Sequence, residues 1–287
     1  MIEPLAVVYA TFAGAGATAL GASTVLILPT LSHRSHDTLL GFSAGLMGGI
    51  VGLQLLPEAF RTSQGRGLIV LLSIVLGVFT LMGLDRMARW LPTPEPFRRG
   101  ESDMRRAPTG FLVFLALSVH NVPEGLSTGL GYGHGVTSFG NAVALAVAFQ
   151  NIPEGLVVAV PLRAEGHSRW AAFALAAVTG IIEPIFSVIA MLAVDFSAAV
   201  LPGGLGFAAG AMAYVVVAEM VPESWKHGYH REATTAAVGG ILWLSCSQCW
   251  QFKDAGRASW SGVRFCHHAG SGDELLPCHA PRPGQCL

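Results

Sequence analysis

His120-Asn121-Val122-Pro123-Glu124-Gly125-Leu126 recurs thirty residues on as Gln150-Asn151-Ile152-Pro153-Glu154-Gly155-Leu156, and both copies interrupt long apolar runs. On a helix, His120 and Glu124 stand at i, i+4 and Asn121 and Glu124 at i, i+3, so the three can reach one partner. Gln150, Asn151 and Glu154 repeat that arrangement. Pro123 and Pro153 each remove a backbone hydrogen bond and clash with the carbonyl four residues back, which predicts freed oxygens of Val119 and Phe149 at the same depth. A third carboxylate beside a proline, Glu183-Pro184, lies in a further apolar run. One imidazole, three carboxylates and three amides form a ligand set for a borderline transition metal such as Zn²⁺, Fe²⁺ or Mn²⁺; Ca²⁺ and Mg²⁺ prefer oxygen alone. A single buried Asn or Gln commonly glues helices together, and a lone Pro commonly kinks one. Three acids and a His at one depth argue for function, because uncompensated charge there costs several kcal/mol.

The elements that hold these residues are membrane helices. Of 287 residues, 52% are hydrophobic and 12% charged, far below the ~25% charge of soluble domains. The net charge of −1 gives no reason to expect nucleic acid as a partner. A helix needs about 17–25 apolar residues to cross a bilayer, and seven stretches qualify: 5–31, 39–60, 68–91, 109–131, 139–162, 170–194 and 200–224. An eighth begins at Ala233, but its apolar pattern breaks at Ser245, so the last span is expected to be incomplete. The first segment lacks a basic leader and reads as a retained span. Lys and Arg in alternate connections number eleven on one side and two, Arg61 and Arg66, on the other, which predicts that the N-terminus is outside.

A second repeat lies at an offset of 165. Gly41-Phe42-Ser43-Ala44-Gly45-Leu46-Met47 matches Gly206-Phe207-Ala208-Ala209-Gly210-Ala211-Met212, and each copy runs on to Pro57-Glu58 or Pro222-Glu223. The two helices are predicted to cross in opposite directions, as in inverted-repeat transporters. Small-xxx-small packing accounts for the glycines. It leaves Glu58 and Glu223 open, as carboxylates that gather cations at the outer and inner mouths or as plain interfacial residues.

The 92–108 connection, rich in proline and charge and free of His and Cys, reads as a solvated cytoplasmic loop that anchors topology. His33/His36 and His227/His230 stand at i, i+3, and His134 follows the fourth span; the commoner fate of such histidines is to be solvated, the alternative being assistance in metal release. All five cysteines, Cys246, Cys249, Cys266, Cys278 and Cys286, fall after Leu244 with His267, His268 and His279. Cys246-x-x-Cys249 could hold zinc. The wider spacing fits no compact finger, so 245–287 is expected to be an out-of-register tail and not a folded domain.

The paired His-Asn-x-Pro-Glu-Gly and Gln-Asn-x-Pro-Glu-Gly, followed by Glu-Pro on the next span, resemble the ZIP (Zrt/Irt-like) divalent-metal transporters, with the sequence after Gln150 most similar to the GufA-like subgroup. The resemblance runs from about residue 5 to 242. It implies an all-α integral membrane protein with an eight-span 3+2+3 inverted-repeat bundle in 1–244, both termini outside, in the plasma (inner) membrane. It implies that His120, Glu124, Gln150 and Glu154 are primary metal ligands. Asn121, Asn151 and Glu183 then match a neighbouring second site, with Glu124 and Glu154 as bridges. Some members have Asp where this chain has Asn151. Three carboxylates offer −3 against the +4 of two dications, so one tightly held ion is expected.

The function expected is transport of divalent transition metals, zinc first and iron, manganese, cobalt or cadmium besides, into the cytoplasm by alternating access. No cofactor is expected, the metal being the substrate. Metal ions and the lipid bilayer are the expected partners, and a homodimer is the one assembly considered. Two rivals differ in class. An intramembrane metal-dependent hydrolase would use a zinc-bound water, but His-Glu-x-x-His is absent. A non-transporting metal-binding membrane protein gains if the broken last span prevents movement.

Overall fold

Apolar runs with small residues at every third or fourth place and no two-residue alternation fold as helices from end to end. The computed structural model describes residues 4–27, 31–88, 90–91, 94, 109–133 and 138–254, with backbone alone for 4–10, 109 and 249–254. His134, nearly all of the 92–108 loop, the Cys249 side chain, and Cys266, Cys278, Cys286 and their neighbouring histidines lie outside the described residues. In order come α1 (Pro4–Ser23), α2 (His33–Gly49), α3 (Leu56–Thr62), α4 (Gly67–Ala88), α5 (Thr109–Gly131), α6 (Ser138–Ala164), α7 (Arg169–Thr179), α8 (Ile182–Phe196), α9 (Val200–Val215), α10 (Val221–Ser224) and α11 (His230–Asp254). Serines start two of them. Ser32 Oγ accepts from the Ser35 amide and Ser168 Oγ from the Ala171 amide, both at 3.1 Å, satisfying donors that the helix cannot.

Among the described residues, five helical stretches are long and apolar enough to cross a membrane: His33–Thr62, Gly67–Ala88, Ser138–Ala164, Arg169–Phe196 and Val200–Ser224. α5, with 23 residues, and α11, with 25, have the length, about 35 Å or more at 1.5 Å per residue, and carry more polar groups.

The helices pair in a pattern the 165-residue repeat anticipates. α1 lies along α6 and α5 along α8; α2 lies along α11 and α4 along α9. Glycines bring the backbones together. A Cβ on Gly155 would collide with the Thr18 carbonyl, and one on Gly125 with the Glu183 carbonyl. The glycine that closes each Pro-Glu-Gly motif is therefore where a neighbouring helix crosses. Gly41 and Gly45 meet the Ala233 and Ala237 carbonyls in the same way, and Gly210 meets that of Ile74.

Between α2 and α3, and again between α9 and α10, the helix does not break but widens into π turns at Ile50–Leu55 and Val216–Met220. The amide of Leu56 reaches back five residues to the Val51 carbonyl and that of Val221 to the Val216 carbonyl. In each copy the widened turn immediately precedes the conserved spacing to Pro57 or Pro222, so an irregularity that favours functional sites is itself duplicated.

The sixth apolar stretch, Arg169–Phe196, is kinked beside Glu183-Pro184, where a break at Gly180–Ile181 divides it into α7 and α8. Pro184 has no amide to donate to the Gly180 carbonyl, and the Glu183 amide takes that carbonyl at 3.3 Å. The last helix continues past the end of its apolar pattern: α11 runs unbroken to Asp254, although it is not among the five stretches apolar enough to cross a membrane. Loss of apolar pattern is not loss of helix. No Gly or Pro lies between Ser245 and Asp254, and the Ser245 and Ser247 hydroxyls donate to the Ile241 and Leu244 carbonyls at 2.9 and 2.8 Å.

Candidate metal site

α5 and α6 carry the two motifs side by side, and α8 brings the third acid against them. Glu124, Glu154 and Glu183 are at most 2% exposed, and Asn121, Gln150 and Asn151 at most 1%. Hydrogen bonds tie the helices at this level. Gln150 Nε2 donates to Glu124 Oε1 at 2.6 Å, linking α6 to α5, and Asn151 Nδ2 donates to Glu183 Oε2 at 2.7 Å, linking α6 to α8. Glu124 lies within electrostatic reach of both other carboxylates. Gly14 of α1 completes the wall, since a Cβ there would collide with the Glu183 carboxylate.

The helix break supplies one further partner. In an unbroken helix the Thr179 carbonyl would accept from the Glu183 amide; with that amide turned to Gly180, Asn121 Nδ2 donates to Thr179 at 2.6 Å instead. Asn121 is thus oriented by the proline-induced break one helix away.

Six acceptor oxygens in this buried set have no hydrogen-bond donor: Asn121 Oδ1, Glu124 Oε2, Gln150 Oε1, Asn151 Oδ1 and both oxygens of Glu154. Buried acceptors normally find a donor, and each one left alone costs about 1–3 kcal/mol. Three ionised carboxylates crowded together also repel. A cation relieves both at once. The amides suit this arrangement because the nitrogens of Gln150 and Asn151 hold carboxylates and that of Asn121 holds the Thr179 carbonyl, while all three oxygens remain for an ion.

His120 points elsewhere within the same region. Its Nε2 is 2.9 Å from Glu219 Oε2, across to the π turn Val216–Met220. Seven predicted residues therefore divide into a set held together by hydrogen bonds (Glu124, Gln150, Asn151, Glu183), an unpartnered Glu154, Asn121 fixed on Thr179, and His120 bonded outward to Glu219. A cavity of about 840 Å³ includes His120, Glu154 and Glu219 in its lining and extends to His36 and His227.

The profile described as ZIP Zinc transporter matches residues 93–247. Zinc transporter GufA of Myxococcus xanthus is 37% identical over 235 residues, which make up 79% of this chain and 91% of that protein. The chain belongs to the ZIP family. Zinc transporter ZIPB of Bordetella bronchiseptica is 35% identical over 238 residues, covering 80% of this chain and 76% of that protein. Human zinc transporter ZIP11 is 42% identical over 137 residues, 46% of this chain and 40% of the relative. ZIP membership and the five apolar stretches make the chain an integral membrane protein, and its similarity to GufA supports the GufA-like subgroup.

Glu219, the partner of His120, is a candidate that the sequence motifs do not single out. Its signal was present. Residue 219 minus the repeat offset of 165 is Gln54, and both polar side chains interrupt apolar runs inside the duplicated segment. Gln54 is 4% exposed, and neither its oxygen nor its nitrogen has a partner. The acids that were noticed there, Glu58 and Glu223, form i, i+3 ion pairs with Arg61 and, at 2.8 Å, with Lys226.

Proposed function

We propose that this ZIP protein carries divalent transition metal ions across a membrane into the cytoplasm, with zinc as the principal substrate. The observation that carries the site assignment is the cluster of six donorless buried oxygens on Asn121, Glu124, Gln150, Asn151 and Glu154. His120, Glu124, Gln150 and Glu154 are the primary ligands. Asn121, Asn151 and Glu183 form the neighbouring position, and Asn151 in place of an acid limits it to weak second occupancy. The names of the relatives, zinc transporter in each case, favour zinc.

The proposed frame is eight spans in a 3+2+3 inverted repeat, with the N-terminus outside in the plasma (inner) membrane. Support comes from the helix pairs, because an exchange of the halves turns α1·α6 into α8·α5 and α2·α11 into α9·α4. The duplicated π turns support it too. The eleven-to-two distribution of basic residues supports the orientation. Helices 1, 4, 5 and 6 of the eight, here α1, α5, α6 and α7–α8, would move the site past the others.

ZIP membership and relatives that are each a zinc transporter disfavour both the hydrolase and the non-transporting metal binder. Labelled zinc uptake into vesicles containing the purified chain tests the reading. Time-dependent accumulation that exceeds protein-free vesicles is expected; binding without accumulation would sink transport.

A further inference from the structure

Resting on the transport reading for its role as a relay, though not for its ligand set, a second cluster lines another part of the cavity. α2 begins His33-Arg34-Ser35-His36-Asp37, which places His33, His36 and Asp37 on one helical face. The loop between α10 and α11 brings His227 onto that face. Asp37 is fully buried. Its Oδ1 lies 2.7 Å from His227 Nδ1 and 3.3 Å from His36 Nδ1, and its Oδ2 accepts the His227 backbone amide at 3.3 Å. His33 stacks on the His227 ring with centroids 4.1 Å apart, and His36 meets the same ring edge-on at 5.2 Å. Two imidazoles therefore converge on one carboxylate that has left water, and a third, His33, stacks on one of them.

We infer that His36, Asp37 and His227 form a second divalent-metal site, of the zinc class, which receives the ion leaving the mid-span site. Each residue offers a ligand atom within 4.8 Å of the others. A tetrahedral ion with ligands at ~2.0–2.1 Å needs them about 3.3 Å apart, so the two nitrogens need only small shifts about the carboxylate. Two imidazoles and a carboxylate select zinc-class ions over Ca²⁺ and Mg²⁺. Three protein ligands leave a fourth position for water, which keeps the ion exchangeable, as a relay requires. The shared cavity joins the two ends: His120 and Glu154 line one part of it and His36 and His227 another. A purely structural clasp between α2 and the α10–α11 loop would need only Asp37 and His227; it gives no reason for His36 to bring its Nδ1 to the same carboxylate oxygen.

The test counts zinc. The full-length chain carrying Glu124→Ala and Glu154→Ala, purified in detergent and equilibrated with Zn²⁺ alone, is expected to retain zinc after gel filtration. Adding His36→Gln and His227→Gln should lower the count by one zinc per chain, while the amides still donate to Asp37 and preserve the fold. An unchanged count overturns the site, whatever the tail cysteines hold. Should the fourfold variant not elute as folded protein, His227→Gln alone in the wild-type chain decides, read as at least a tenfold weakening of one zinc-binding step in calorimetry. No weakening overturns the site. Absence of uptake by the wild-type chain would remove the transport reading and leave this count unaffected.

Discussion

At the scale of single residues, the account rests on buried acids whose oxygens lack donors. Glu154 has two buried oxygens without a donor, and Glu124 has one. Replacement of either by Ala removes a ligand and a charge that a low-dielectric site cannot replace. Zinc uptake is expected to fall to background in Glu124→Ala and in Glu154→Ala, with normal amounts of protein in the membrane by immunoblot. Glu219 acts through His120, whose Nε2 it holds; Glu219→Gln should weaken zinc affinity about tenfold, as loss of an outer partner of a ligating histidine does, measured by calorimetry. Because carboxylates and imidazole bind metal only when deprotonated, initial uptake should decrease from about pH 7 to about pH 5, and a flat profile would argue against this ligand set. The sequence pointed through the duplicated motif to six of the mid-span residues, and through Glu183-Pro184 to the seventh. It hid Glu219 and Asp37, whose importance depends on which helix they face, and that is decided by packing and not by spacing along their own helix.

Elements were legible to different degrees. Helices α5 and α9 fall within the predicted apolar runs and α4 and α6 overstep theirs by one or two residues, since length and hydropathy determine them, whereas α2 begins at His33, ahead of the run 39–60. The break at Gly180–Ile181, the π turns and the length of α11 were not readable from hydropathy, because they depend on single backbone amides: one missing at Pro184, two reaching back five residues, and serine hydroxyls that find carbonyls within α11. At this scale the Pro-Glu-Gly glycines are decisive. Gly155→Val would drive a side chain into the Thr18 carbonyl; a loss of about 1–3 kcal/mol of stability is expected from such overpacking. Thermal melting in detergent measures it, and an unchanged melting temperature would show that α1 and α6 separate freely.

For the whole molecule, the repeat bears on the relative direction of its two copies, and the proposed outside N-terminus rests on the charge asymmetry alone. The α3–α4 turn holds exposed Gln64, and the α10–α11 turn holds exposed Lys226. In a chain whose five native cysteines are replaced by Ser, a Cys introduced at Gln64 should react with a membrane-impermeant thiol reagent in intact cells, and one at Lys226 only after permeabilisation. The opposite pattern would invert the protein and reverse the direction of transport. The central claim is that ions pass through the carboxylates joined across α5, α6 and α8. Zinc uptake into reconstituted vesicles by the wild-type chain and by Glu154→Ala, measured beside equilibrium zinc binding by the same preparations, tests it most directly. The account predicts saturable uptake by the wild-type chain, with loss of both uptake and tight binding in the variant; undiminished uptake by folded Glu154→Ala would contradict it.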